Sequence, residues 1–256
     1  MTSLLPDNSV AIWEKLEMRK THLFTGIVAA VAALAAGRQV NADTVTWAVW
    51  NTPATSTGLT SGAATATMGA INVNYTGEVE SVDPLGAYPS WNPASTYTDG
   101  TFITNAPAPS DGIVQLFGGQ GTSTDTITFS TPVANPVMAV WSLGSVVSGP
   151  DPATFDFTAS EPFAIIAGGP SQEYGGSSIF LTGGGSDVTG LEGNGTIEFY
   201  GTYSSITFTT PSFENWYGFT VGMSSVAIPA PASALSGGVL LAGLALAKKR
   251  HNRRQA

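Results

Sequence analysis

An all-β fold is predicted: a β-sandwich of jelly-roll type, flanked by an N-terminal signal helix and a short C-terminal transmembrane helix. Three observations predict the sandwich. Apolar and polar residues alternate over short runs, turn-forming residues separate those runs, and no window between 43 and 225 keeps an apolar 3.6-residue period for ten residues.

The first element is the N-terminal segment. Met18-Arg19-Lys20 precedes an apolar stretch at 23–36 and then Val40-Asn41-Ala42, the order of a charged region, an apolar region and a small-x-small cleavage site. That stretch is about 14 residues long, short of the roughly 20 that cross a bilayer as a helix. Residues 1–42 therefore read as a secretory signal cut after Ala42 and handled by the Sec export machinery. Asp7, Glu14 and Glu17 suit no signal n-region, which makes Met18 the expected start and places 1–17 upstream of it.

Residues 43–225 form the expected single domain, about 180 residues, enough for one good core. Strands are expected at 44–50, 65–75, 112–117, 125–130, 136–142, 153–158, 162–167, 177–182, 196–201, 205–210 and 216–222, all rich in β-branched and aromatic residues. Asp99-Gly100, Gly168-Gly169-Pro170 and Asn194-Gly195 supply the positive or fixed φ at which strands reverse. Trp47, Trp50, Trp141 and Trp216 lie inside strand runs and are assigned to the core. One echo recurs: Ile127-Thr-Phe-Ser-Thr-Pro132 and Ile206-Thr-Phe-Thr-Thr-Pro211, each followed by an aromatic strand. It marks either a duplicated half-sandwich or two neighbouring units that converged on β-favouring residues.

The last element is the tail, 228–256. Pro229-Ala230-Pro231 precedes sixteen uncharged residues at 232–247, then Lys248, Lys249, Arg250, Arg253 and Arg254. As a helix the uncharged run is about 24 Å long against a hydrocarbon core of about 30 Å. The cations at 248–254 act as a membrane stop that stays cytoplasmic, leaving the domain on the far side.

This layout resembles the PEP-CTERM sorting domain of bacterial exported proteins: a Pro-x-Pro motif, a short transmembrane helix and a basic terminus. Ala230 stands where that family has Glu. The resemblance covers about 28 residues. It implies an exosortase-type processing enzyme as partner, transient residence in the inner membrane, cleavage near the motif, and delivery to the cell surface or extracellular matrix, where exopolysaccharide is a further partner.

Between Arg38 and Lys248 there is no Lys, Arg, His or Cys, and all but three of the eighteen carboxylates lie in that interval. An imidazole base, a lysine Schiff base, a thiolate nucleophile and a guanidinium clamp are all excluded there on inventory. So is nucleic-acid binding, because an anionic domain repels phosphates and has no cations with which to neutralise them. Carboxylate chemistry remains. Glu173, Glu192, Glu198 and Glu214 are the candidates for a glycosidase pair, but no hydrolase motif surrounds them and the expectation is that the protein is not an enzyme.

Calcium is the one cofactor considered, since hard oxygen ligands bind it without nitrogen or sulfur. Asp99, Asp111, Glu173, Asp187 and Glu192 are its candidates, against the alternative that they are scattered surface acids. For glycan binding the candidates are Tyr88, Trp91, Tyr97 and Tyr174, aromatic residues in loop-like segments able to stack on sugar faces, against core packing at a sheet edge. The expectation is an exported structural or adhesive protein of the cell surface or matrix. The alternative is a carbohydrate-binding sandwich, with calcium as its stabiliser.

Overall fold

The computed structural model describes residues 44–83, 91–119, 123–146, 151–157, 161–215 and 217–224. The expected signal segment, the tail with its sorting motif and basic cluster, Tyr88 and Trp216 lie outside them. In chain order the strands begin with β1 (Val45–Trp47), β2 (Val49–Trp50), β3 (Gly58–Met68), β4 (Ile71–Val79), β5 (Ser81–Asp83) and β6 (Ile113–Leu116). They continue with β7 (Asp125–Ala134), β8 (Pro136–Leu143), β9 (Ala153–Phe157), β10 (Phe163–Gly168), β11 (Ser177–Ser178) and β12 (Phe180–Thr182). The last are β13 (Asp187–Gly190), β14 (Gly193–Phe199), β15 (Thr202–Thr209) and β16 (Tyr217–Ser224). Among the described residues no helix is long and apolar enough to cross a membrane.

Two sheets form a β-sandwich. One runs β12-β13-β9-β15-β7-β4-β3-β2; the other runs β10-β14-β8-β16-β6-β5, with β1 also on β16 and β11 on β14. Pairing is antiparallel except for the two-residue contact of β11 with β14. From β6 onward the long strands alternate between the sheets: β6, β8, β14 and β16 lie in the second, and β7, β9 and β15 in the first.

The all-β expectation is met, with local differences. The run 65–75 was expected as one strand and is a hairpin, β3 returning as β4 with Met68 opposite Ile71. Gly69, at φ 61°, makes the reversal possible, since a side chain there would be strained. The run 177–182 is two short strands, and β5 and β13 are additional. Both are three or four residues long, too short to show an alternation of their own.

The core between the sheets is aromatic. Phe155 of β9 stands at its centre, with ring centroids 5.2 Å from Phe208, 5.4 Å from Tyr217 and 6.3 Å from Phe219, all edge to face. Phe157 meets Phe199 and Phe163 at 5.1 Å in the same manner. Edge-to-face pairs set positive ring edges on negative faces and add about 0.5–1.5 kcal/mol each beyond area burial.

The two sheets differ in what their outer faces do. In the first, β3, β7 and β15 alternate between buried and exposed residues, as expected of a sheet with one face in water. In the second, β6, β8 and β14 are buried at every position. The segment 91–112 covers that outer face, building a second apolar cluster from Trp91, Tyr97 and Ile103 of the cover, Val45 and Trp47 of β1, Ile113 of β6, and Val137, Ala139 and Trp141 of β8.

Glycines on β16 make room for this layer. A Cβ on Gly222 would lie 2.4 Å from Val45 Cγ1 and 2.8 Å from Trp47 Cε3, and one on Gly218 would lie 2.4 Å from Ile113 Cδ1. The Gly222→Ala variant is accordingly expected to lose about 1–3 kcal/mol of stability by overpacking. Phe155→Ala is expected to lose about 3–5 kcal/mol through the cavity it leaves. Urea unfolding of the two variants beside the wild type measures both.

Candidate functional site

The loops singled out for their aromatic residues lie together over the covered face. The Gln172 N–H donates to Asn92 O at 2.7 Å and the Thr96 hydroxyl to Pro170 O at 2.7 Å, tying 169–176 to the cover. The Thr196 hydroxyl of β14 holds the cover from below, donating to Tyr97 O at 2.9 Å. Both loops need such outside partners because few of their backbone groups pair within the loop.

Burial sorts the glycan candidates. Trp91 is 1% exposed and Tyr97 0%, packed edge to face at 5.2 Å. They anchor the cover, and no sugar can stack on them in this arrangement, so of the two readings weighed for them it is core packing that the burial matches, and they drop out as glycan candidates. The physical reason is the third layer itself: the loop carries apolar rings because it has a sheet face to cover. Tyr174 differs, 47% exposed with its ring 5.5 Å from that of buried Trp141.

The calcium candidates are spread over the molecule. Asp99 Oδ1 accepts the N–H groups of Thr101, Phe102 and Ile103 at 2.7–3.0 Å, closing the turn that Gly100 opens. Asp111 Oδ2 accepts the Ala108 N–H at 3.0 Å and caps the short 3-10 turn Pro109–Asp111. Glu173 is half-buried in the 169–176 loop, and its charge helps to raise the Tyr97 hydroxyl, after burial itself. Asp187 of β13 accepts the Ser186 hydroxyl and stands opposite Asp156 of β9. Glu192 is buried before β14, where its Oε2 accepts the Ser142 hydroxyl at 2.7 Å. Among the described residues no three Asp, Glu, His or Cys side chains gather into a group able to hold a metal ion. Nor does one element carry the four glycosidase candidates: Glu173 and Glu192 lie in loops, Glu198 on β14, and Glu214 between β15 and β16.

Sequence reasoning missed the most concentrated polar group, at one end of the sandwich. Glu78 at the end of β4 is 0% exposed and Asp125 at the start of β7 is 1% exposed. Glu78 accepts the N–H groups of Phe117 and Gly118 at 2.8–3.0 Å. Asp125 Oδ1 accepts the Tyr75 hydroxyl at 2.9 Å and the Glu78 N–H at 2.7 Å. Thr210, between β15 and β16, lies 3.5 Å from Glu78 Oε2 and 3.3 Å from Asp125 Oδ2 through its hydroxyl oxygen. Burial pushes Asp125 up to about 6, against the lowering effect of its two donors, and burial also raises Glu78. Tyr75 and Tyr217 are raised by burial and then by these acids. A signal was present: in Asp125-x-Ile127-x-Phe129 the alternation sets Asp125 on the core face.

A second buried acid lies under the cover. Glu198, on the outer side of β14, is pushed up to about 7 by burial and then by Asp99, and its Oε1 has no hydrogen-bond partner among the described residues. Tyr200 is pushed up to about 12 by burial and the Glu198 charge.

A raised folded-state value means that Glu198 contributes its stability fully below the ordinary carboxylate range and loses it as pH rises through about 7. Glu198→Gln, which cannot ionise, is expected to unfold at higher temperature than wild type at pH 8 and at nearly the same temperature at pH 5. Calorimetry at the two pH values reads the difference.

Compared with known proteins, the chain matches no family model, no curated protein and no solved structure.

Proposed function

We propose that this is an exported structural or adhesive protein of the bacterial cell surface or extracellular matrix, not an enzyme, sorted by a PEP-CTERM-like tail. The observation that carries the reading is the charge layout: cations at both ends of the sequence, none between Arg38 and Lys248, and a β-sandwich in the interval. A signal and a membrane stop need cations; a passenger crossing a membrane and living among anionic polysaccharides does without them. The sandwich also needs no disulfide, since the chain has no cysteine and the core rests on packed aromatic rings. Its finer type, the jelly roll, is proposed in the sense that successive long strands cross from sheet to sheet.

The path this implies runs through Sec export, transient anchoring by 232–247 in the inner membrane, and release by an exosortase-type enzyme near Pro229-Ala230-Pro231. Intact-mass measurement of the protein recovered from the cell surface of a producing strain is expected to show a chain that starts at Asp43 and has lost Lys248–Arg254. Recovery of the uncut chain from the cytosol overturns the reading.

One observation favours a second reading, a carbohydrate-binding module: the half-exposed Tyr174 ring beside Trp141, with the polar groups of the 169–176 loop around it. A ring of that kind offers a flat face to a sugar. On a glycan array this reading predicts specific binding that Tyr174→Ala abolishes, with calcium added or chelated to reveal any stabilising role. Absence of binding in all arms leaves the structural reading.

A further inference from the structure

At the end of the sandwich Glu78 and Asp125 share one hydrogen-bonded hydroxyl, that of Thr210, while the nearby buried Tyr217 hydroxyl makes no hydrogen bond to either. Asp125 Oδ1 is filled by the Tyr75 hydroxyl and the Glu78 N–H, and Glu78 by the Phe117 and Gly118 N–H groups. Asp125 Oδ2 and Glu78 Oε2 then both meet the Thr210 hydroxyl oxygen, at 3.3 and 3.5 Å. A hydroxyl carries one proton and donates to one of them. The other contact is a hydrogen bond only where the carboxyl is itself protonated and the hydroxyl accepts.

The donor count says which carboxyl that is. Backbone N–H groups reach both oxygens of Glu78, whereas the two donors of Asp125 share Oδ1 and leave Oδ2 to Thr210 alone. The groups facing Asp125 are Tyr75 and Glu78 from β4, Tyr217 from β16, and Thr210 from the connection between β15 and β16, with Glu214 of that connection acting on Tyr217. None is a cation, and the sequence from 39 to 247 has none to offer.

We propose that the native protein keeps one proton on Asp125 Oδ2, donated to Thr210, whose own proton goes to Glu78, and that this relay is a pH-sensitive latch on the 117–119 turn. Bonds that hold the turn include the two N–H groups held by Glu78, the Gly119 N–H on Thr210 O at 2.8 Å, and the Glu214 N–H on Phe117 O at 2.7 Å. Three of these four end on residues of the relay. Loss of the proton sets a second negative charge beside Glu78 in a buried space and leaves one carboxylate oxygen without a donor, which loosens both Thr210 and the Glu78 cradle. The sign follows from the raised folded-state value: the contribution is complete below the ordinary Asp value of 3.8 and disappears as pH rises through about 6.

Carboxyl carbon-13 NMR of the full chain, with Asp125 assigned through Asp125→Asn, is expected to show that carboxyl titrating near 6. A midpoint at or below 3.8 overturns the proposal. In Asp125→Asn the side-chain amide donates to Thr210 at every pH while its oxygen keeps the Tyr75 and Glu78 donors. Between pH 5 and 8 this variant is expected to lose about tenfold less of its folding constant than wild type. An equal loss in the two chains overturns the proton assignment. Hydrogen exchange on the wild type tests the latch without a variant. After correction for intrinsic rates, the Phe117 and Gly118 amides are expected to lose protection through the Asp125 midpoint while those of β8 keep theirs. Unchanged protection of the turn across that midpoint overturns the latch.

Discussion

A carboxylate in this domain has no counter-charge to find. Arg38 and Lys248 bound an interval without a single cation, and the sandwich nevertheless buries Glu78, Asp125, Glu192, Glu198 and Glu214. An ion pair is the usual way to hold a buried charge, and here every such acid depends on N–H and O–H donors or on its own proton. Glu192 has the Ser142 hydroxyl, Glu78 has two backbone N–H groups, and Asp125 has a tyrosine and an amide. The turn at 117–118 is therefore tied to an acid at the end of β4 and Ser142 of β8 to one in the loop before β14, so the fold uses its anions as acceptors that join neighbouring segments. At Glu78, Asp125 and Glu198, whose carboxyls burial raises, the contribution to folding runs opposite to that of an ion-paired acid and is greatest at low pH.

The inner core was legible because the sandwich obeys a period of two. Ile127, Phe129, Ile206 and Phe208 alternate with polar residues, and all four are buried between the sheets. Trp47, Trp50 and Trp141, assigned to the core because they lie inside strand runs, are all buried, Trp50 between the sheets and Trp47 and Trp141 under the cover. The outer face of the second sheet was not legible. Its strands read as alternating where they are short, yet a loop covers them, and nothing in Tyr88–Tyr97 separates an aromatic ring kept for a ligand from one kept for a sheet. Trp91 and Tyr97 went to the sheet. Glu198 shows the same limit from below: its alternation with Ile197 and Phe199 points it away from the inner core, and only the cover makes that outward side buried. Asp99 and Asp111 are calcium candidates in the sequence only because they lie in polar loops, and a short acid there first satisfies the loop's own N–H groups.

The repeated Ile-Thr-Phe segment joins these two themes. Its copies, 79 residues apart, are paired strands: Ile127 stands opposite Ile206, and the strands that follow, β8 and β16, pair in the other sheet. Since β7 and β15 run antiparallel, the residues just before each copy lie beside residues of the other. Two equivalent places result, and they have diverged. At one, Asp125, two residues before its copy, meets Thr210 near the end of the second, both buried under Glu78 and the 117–118 turn. At the other, the corresponding residues are Ser204 and Thr131, both exposed. The register explains the difference, because residues 129–132 of β7 bulge opposite Ser204, between the pairs Tyr203 with Val133 and Ser205 with Thr128. Pro132 sits in that bulge, where its missing N–H breaks no ladder bond. A shared strand frame thus carries a closed polar group at one end and an open bulge at the other. At the closed end a turn gives its N–H groups to a buried acid, and at the open end the bulge takes that place.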